Sequence, residues 1–252
     1  MTARTRRWVF AVAAAGLAAA LTVGFAGLPR FGAPASTYAR ILNSLSVPQR
    51  QATDVVSAVS FDYRGIDTLF EEFILFAAVA GISVLLRPLG DETRQLPEEE
   101  APDRRIPRPS PTVGLLAVVL SPLLVVVGLE TVTHGQVSPG GGFQGGVVLA
   151  SGLFVVYLAT SYANVERFEP GTLIEAADGV GAGGYVTVGV LGLLAGSAYM
   201  TNVISLGHAG NLISGGTLPV LNAVVGVEVA GGFVLLAKEF LDQTAVIRGS
   251  TT

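Results

Sequence analysis

Carboxylate side chains stand within long apolar runs of this chain, where an ionisable group is costly and usually functional. Glu228 lies near the middle of the apolar run 220–240, with Gly231 and Gly232 at i+3 and i+4 on the same helical face. An ionised carboxylate at that depth costs about 2.5 kcal/mol or more. Two interpretations follow: a protonated Glu228 hydrogen-bonded to a neighbouring helix, or a group that takes part in ion transfer.

A second ionisable group opens another apolar run, in the segment FDYRGIDTLFEEF that begins at residue 61. If this segment is helical from Arg64, then Arg64, Asp67 and Glu71 share one face at i, i+3 and i+7. With Asp62 just before them, they predict either a cluster of ion pairs at the membrane surface or a step in a proton or cation route.

Glu130 and His134 lie at the end of a third apolar run. Glu130 is close enough to the predicted interface to extend into water or cap the turn, with transport as the alternative. His134 and His208 can titrate near neutral pH. Two separate histidines without cysteine or a carboxylate at ligand spacing do not form a metal site, so we predict no metal.

Enzymatic chemistry has no support in the sequence. We find no nucleophile–base pair, no Gly-x-Ser-x-Gly elbow and no His-Glu-x-x-His helix. The chain has no cysteine, and its net charge of −4 with scattered arginines gives no basic patch for nucleic acid. The prediction is a protein that is not an enzyme, with no cofactor and no nucleic-acid partner.

A glycine-rich hairpin joins the two apolar runs on either side of residues 130–146. Its turn-forming residues are Pro139, Gly140, Gly141, Gly142, Gly145 and Gly146. The glycine triplet does not meet the phosphate-loop template, because no strand precedes it and no Lys-Ser/Thr pair follows it. Its predicted role is a tight structural turn between two membrane helices.

Run lengths predict an all-α, polytopic membrane protein with six transmembrane helices, two before and four after a polar linker. Half of the residues are hydrophobic, 13% are charged, and a spanning helix needs about 20 apolar residues. The predicted spans are 8–28, 69–86, 113–132, 143–162, 181–200 and 220–240. Glu175 and Asp178 precede the fifth of these, and we expect them to favour its N-terminus.

The segments between these spans divide the chain. The first run is either a retained helix or a signal peptide cleaved near residues 33–35; it is longer than a typical signal h-region, which favours retention. An amphipathic helix containing Ile41, Leu42 and Leu45 is expected at the interface. The proline-rich, acidic linker 89–111 separates a module at 1–88 from one at 112–252.

Basic residues predict the orientation. With the N-terminus in the cytoplasm, 11 of the 15 Lys and Arg residues lie in cytoplasmic segments. The other four, in the long outer loop, are Arg30, Arg40, Arg50 and Arg64. We therefore expect a multi-pass protein of the cell membrane with both termini in the cytoplasm.

Two stretches of the second module resemble the MnhB (MrpB) family of Mrp-type antiporter subunits. They are HGQVSPGGGFQGG, from His134, and LGHAGNLISGGTLPVLN, from Leu206, and together they cover about the last 140 residues. The first module resembles the MbhE-like piece that also ends the large MrpA subunit, whose motif is DFRGFDTLGE. Residues 62, 64, 65, 67, 68, 69 and 71 match that motif, while Tyr63, Ile66 and Phe70 depart from it.

The resemblance implies a fusion of these two pieces that acts as an integral subunit of a multisubunit Na⁺ (monovalent cation)/H⁺ antiporter. The expected partners are large MrpA- and MrpD-like subunits, small MrpC-, MrpE-, MrpF- and MrpG-like subunits, membrane lipid, and Na⁺ and H⁺ as transported ions. Two alternatives stay open: a purely structural subunit of that complex, and a subunit of a membrane-bound hydrogenase-like respiratory complex.

Overall fold

The structure, a computed structural model, describes residues 3–28, 30, 36–86, 110–159 and 171–246, and all regular structure within them is helical. The helices are α1 (Ala3–Ala26), α2 (Thr37–Arg50), α3 (Val55–Ala58), α4 (Gly65–Leu85), α5 (Pro111–Thr133), α6 (Gly142–Ala159), α7 (Gly171–Leu194) and α8 (Leu218–Val246). A π-helical turn, Val59–Tyr63, joins α3 to α4. The chain forms two compact units, residues 1–41 and 42–252.

Within the described ranges, five helices are long and apolar enough to cross a membrane. These segments are Arg7–Ala26, Gly65–Leu85, Pro111–Thr133, Ala176–Leu194 and Leu218–Phe240, and the shorter helix α6 is apolar over Gly142–Val156. The predicted all-α, polytopic class is confirmed. The count of six spans stays a prediction, because the proposed end of the fourth span at residue 162 lies outside the described residues.

Helix α7 corrects the prediction for the fifth span. It begins at Gly171 and ends at Leu194, whereas the sequence predicted 181–200. Asp178 is therefore well past the first turn and is buried, so the expected role at the helix N-terminus is wrong for it. The side chain of Glu175 lies outside the described part of the chain. After Leu194 the backbone turns at Gly196, whose φ of 76° suits glycine.

Local sequence explains where α5 and the short helix α3 begin. Ser110 caps α5 by accepting a hydrogen bond from the Val113 N–H at 3.4 Å, and Pro111 follows at the first helical position. Asp54 caps α3 through both carboxylate oxygens, which accept from the N–H groups of Val56 and Ser57. These caps satisfy backbone donors that an apolar environment would otherwise leave unpaired.

The predicted linker and the possible cleavage site fall largely on residues outside the described ranges, at 87–109 and 31–35. Helix α2 covers the segment for which an amphipathic helix was predicted, and its position relative to a membrane stays a prediction. Within the unit 42–252, α8 packs against α4, α5, α6 and α7. Residues of α4, from before the linker, thus share a core with helices that follow it.

Candidate functional site: a buried carboxyl cluster

Glycines let α7 and α8 approach closely beside α4. Gly181 of α7 lies against the backbone and Cβ of Glu228. One turn further along α8, a Cβ on Gly231 would come within 2.9 Å of the Ala177 Cβ, and one on Gly232 within 3.2 Å of Val79 of α4. In apolar surroundings such small residues allow helix backbones to pack in direct contact.

Three acidic side chains meet at this crossing, and we name Glu72, Asp178 and Glu228 the carboxyl cluster. Glu72 and Glu228 have no exposed surface, and Asp178 is 4% exposed. The carboxyl groups of Glu72 and Glu228 face each other from α4 and α8. The Asp178 Oδ1 lies 3.1 Å from the position of a Cβ on Gly232, one turn along α8 from Glu228.

No basic side chain of the described residues compensates the charge of the cluster. Within the described part of the chain, no ion pair reaches any of its three members. Although the two glutamates are close enough to interact, none of their four carboxyl oxygens forms a hydrogen bond of good geometry, and neither does the Asp178 Oδ1. Buried polar atoms are nearly always bonded, so this arrangement is exceptional and suggests a functional role.

An aromatic and hydroxyl layer covers the cluster on the side where α4 begins. Tyr185 of α7 is fully buried, and its hydroxyl donates to the Gly65 carbonyl at 2.9 Å. Thr68 of α4, also buried, donates to the Ser60 carbonyl at 2.7 Å. The Tyr185 bond fixes the start of α4 relative to α7, and the Thr68 bond fixes it relative to the π-helical turn.

The predicted charged stripe on α4 is exposed. Arg64 and Asp67 form an ion pair with each other, and Glu71 is also exposed. The structure therefore does not bring Glu71 together with Glu228. The neighbouring residue, Glu72, occupies that position instead.

Asp62 is buried and lies apart from the cluster. It accepts from the Arg50 Nε at 2.5 Å and from the Asn202 side-chain amide at 3.3 Å. The Arg50 guanidinium also stacks 5.2 Å from the ring centre of Tyr63, and burial raises the pKa of the Tyr63 hydroxyl although Arg50 opposes that change. Asp62 thus connects α2, the π-helical turn and the loop after α7.

Glu130 and His134 are near one another at the end of α5. The His134 Nδ1 lies 3.5 Å from the Glu130 Oε1, and more than half of the Glu130 side chain is exposed. The described residues contain no group of three or more His, Cys, Asp or Glu side chains arranged to hold a metal ion.

The sequence reasoning missed Glu72 and Asp178. Glu72 lies on the α4 face that carries Gly65, Thr68 and Val79, the face with the smallest side chains at its start. Small residues on one face of a membrane helix indicate the side that packs, and this signal distinguishes Glu72 from Glu71. For Asp178, the signal was Gly181 three residues later on the same face.

The glycine hairpin, residues 130–146, is connected to α3 and α8 by hydrogen bonds. The Asn222 side chain accepts from the Gly142 N–H at 2.9 Å and donates to the Ser57 hydroxyl at 3.1 Å. A Cβ on Gly142 would lie 2.6 Å from the Asn222 carbonyl oxygen. We name Ser57, Gly142 and Asn222 the hairpin joint.

The remaining hairpin glycines also serve conformation or packing. Gly140 and Gly141 have φ values of 146° and 117°, which side chains rarely adopt. Gly145 packs against α5, and Gly146 packs against α8. Pro139 is exposed in the turn. Gln136 donates to the Leu212 carbonyl at 2.5 Å, so the two stretches that resemble the MnhB family touch each other.

Apolar helices that enclose carboxyl groups define the class as a polytopic membrane protein with a polar site among its spans. Residues 112–235 match the model of a domain related to the MnhB subunit of Na⁺/H⁺ antiporter. Uncharacterised protein MJ1307 of Methanocaldococcus jannaschii is 31% identical over 191 residues, which are 70% of this chain and 72% of that protein. The chain belongs to the MnhB family, as the resemblance predicted.

Two solved structures are similar over nearly the whole chain. One is a chain of the membrane-bound sulfane sulfur reductase, an archaeal respiratory membrane complex, with 26% identity and a TM-score of 0.69 over 94% of this chain and 98% of that chain. The other belongs to the Mrp complex from Dietzia sp. DQ12-45-1b. It has 22% identity and a TM-score of 0.68 over 100% of this chain and 27% of that chain, which shows a shared fold.

Proposed function

We propose that this chain is an integral membrane subunit of a multisubunit monovalent cation (Na⁺)/proton antiporter, and that its carboxyl cluster holds and passes a proton. The supporting observation is the facing pair Glu72 and Glu228, fully buried on spanning helices and unpaired with any basic side chain of the described residues. The family match supports the antiporter part of the proposal.

The chemistry of the pair favours proton handling. Two carboxyl groups that share a buried site cannot both ionise without strong repulsion, and an isolated carboxylate near the centre of a membrane is costly. The pair therefore holds a proton that either group can donate. Asp178 of α7, which lies beside Gly232 one turn along α8 from Glu228, is a third acceptor at the same helix crossing.

The cluster also supports the proposed fusion of two pieces. Glu72 comes from the MbhE-like module at 1–88, while Asp178 and Glu228 come from the MnhB-like module at 112–252. Neither module contains the whole cluster. Joining both modules in one chain therefore puts all three carboxyl groups in a single polypeptide. The partners and the cytoplasmic placement of both termini, as predicted from the sequence, are parts of the same proposal.

Proton-coupled sodium flux in vesicles that contain the assembled complex tests this function. We expect Glu72→Gln and Glu228→Gln each to lower the flux at least tenfold, because a single step of general acid–base transfer contributes about 10²-fold or more. Glu130→Gln, which changes an exposed carboxylate at the end of α5, is the matched control and leaves the flux unchanged.

Normal flux in both cluster variants, at normal assembly, would reject the proton role. It would leave the chain as a structural subunit. Loss of assembly after substitution of Gly140, Gly141 and Gly142, with no effect of the cluster variants on flux, is the result that a structural subunit predicts.

A second candidate function is that of a subunit in a respiratory membrane complex. The sulfane sulfur reductase chain is similar from end to end, covering 98% of its length at 26% identity. In such a complex the cluster would pass a proton in response to a redox reaction on other subunits, and this chain would catalyse no reaction itself.

Purification of the native complex separates the two candidates. Co-purification with large antiporter-like subunits and no redox subunit supports the antiporter. Co-purification with subunits that carry redox cofactors, together with flux that depends on an electron donor, supports the respiratory complex.

A further inference from the structure

We propose that the exposed face of α4 binds a transmembrane helix of another subunit, and that this helix places a basic side chain beside Glu71. The inference rests on the hetero-oligomeric part of the proposed function and goes beyond it by assigning one interface and its chemistry. It does not depend on whether the carboxyl cluster carries protons.

The face is continuous along α4. Asp67, Glu71, Ile74 and Ala78 follow one another at i, i+4, i+7 and i+11, and all four are exposed. Phe70 borders this row and is 64% exposed, and Ile74 is 69% exposed. The opposite face of α4, which carries Thr68, Glu72 and Val79, is the one packed against α7 and α8.

Glu71 has no basic partner among the residues that the structure describes. It is the seventh residue of α4, about 9 Å along the helix axis from Gly65, and within an apolar span. A carboxylate that faces lipid is unfavourable there, most of all toward the membrane centre. Arg64, the nearest basic residue in sequence, already pairs with Asp67.

The apolar stretch of α1 contains no basic residue that could neutralise Glu71. The sequence from Trp8 to Ala26 contains no Lys, Arg or His. Arg50, which follows in α2, is paired with Asp62. Charge complementarity therefore indicates a Lys or Arg from a different polypeptide.

The rest of the face suits close helix packing. After Ile74, toward the C-terminal end of α4, the exposed row continues with the small residues Ala77 and Ala78. The space beside Gly81 is also open, because a Cβ on this residue would meet no atom within 4 Å. Ala77 and Gly81 are four residues apart, the small-xxx-small spacing at which two helix backbones approach closely in a membrane. The occupant is thus a helix that crosses at Ala77 to Gly81 and carries its basic residue about two turns away.

Photo-crosslinking within the purified complex tests the interface. A photoreactive amino acid at Ile74 is expected to join a peptide of another subunit with a Lys or Arg within about one helical turn of the joined residue. The same probe at Val79, which is fully buried, is the matched control and should join only peptides of this chain. Joining of lipid or α1 alone from Ile74 would overturn the proposal.

Charge exchange tests the basic partner. Glu71→Lys should lower the recovery of intact complex at least about tenfold, because like charges across an interface cost several kcal/mol. Changing the crosslinked basic residue to Glu in that variant should restore recovery. Recovery of Glu71→Lys and Glu71→Leu at the wild-type level would overturn the proposal, and flux measurements on Glu72→Gln would still test the proton role separately.

Discussion

Two sets of buried polar groups in this protein differ in whether their side chains are hydrogen-bonded. In the hairpin joint, the Asn222 side chain accepts from Gly142 and donates to Ser57 and the Leu218 carbonyl. In the carboxyl cluster, the oxygens of Glu72 and Glu228 and one oxygen of Asp178 are buried without a hydrogen bond. Each set has one member on α8. These two residues, Asn222 and Glu228, are six positions apart in the sequence.

We infer from this difference in hydrogen bonding that the hairpin joint has a structural role and the carboxyl cluster a functional one. A satisfied amide has nothing to gain from a change of partner, so it fixes the helices around it. An unsatisfied carboxyl pair is poorly stabilised and gains from a proton or water, so it is suited to exchange. We infer that the hydrogen bonds of Asn222 hold the start of α8 in place. Glu228, nearer the middle of the helix, takes part in proton exchange in this account.

The largest expected effect comes from breaking the joint. Gly142→Val places a side chain against the Asn222 carbonyl and Val225 and should destabilise the protein by about 3 kcal/mol or more, since overpacking a tight contact costs 1–3 kcal/mol and the joint hydrogen bond is also lost. Thermal unfolding in detergent measures this. Gly114→Val, on the open side of α5, is the control, and equal losses would contradict the assignment.

A smaller effect is expected where α7 approaches Glu228. Gly181→Ala puts a methyl group against the Glu228 backbone and should cost about 1–3 kcal/mol while displacing the glutamate. Gly183→Ala, on the same helix with open space around it, should be neutral or slightly stabilising. Thermal unfolding together with flux checks both variants, and a neutral Gly181→Ala would show that the contact is loose.

Much of this arrangement was predictable from sequence and part of it was not. Run lengths and turn residues predicted the membrane helices, and the central position of Glu228 in its apolar run singled it out. Glu71 and Glu72 are adjacent carboxylates, and the length and composition of the apolar run do not say which of them faces inward, although the small residues Gly65 and Thr68 mark the face of Glu72. That choice follows from the rotation of α4, which the contacts of Gly65 and Thr68 determine. Asp178 was missed because the start of α7 was placed ten residues too late.

Replacing the cluster carboxyls should change stability little. Glu72→Gln and Glu228→Gln remove no hydrogen bond and no ion pair of the described residues, so each should shift the free energy of unfolding by less than about 1.5 kcal/mol, the usual limit for a swap that conserves volume. Unfolding of the two single variants and the double variant gives the coupling between them. A large destabilisation would assign the pair to structure.

The smallest effect concerns Asp54, whose backbone N–H donates to the hairpin at Gln136. Burial raises the pKa of the Asp54 carboxyl, although hydrogen bonds from Ser57 and Val56 oppose this. The folded state thus holds the proton more tightly than the unfolded state, and stability falls as pH rises between the two pKa values. Asp54→Asn keeps one of the two cap bonds and should remove this fall. Unfolding at several pH values checks it, and an unchanged pH profile would contradict it.

The most direct test of the central claim is an infrared difference spectrum of the assembled complex at neutral pH. It measures the carbonyl band of protonated carboxyl groups. We predict a band that changes in frequency or intensity in Glu72→Gln and in Glu228→Gln, is lost in the double variant, and stays unchanged in Glu130→Gln. A spectrum in which neither cluster variant changes this band would contradict the account, because the pair would then hold no proton to pass.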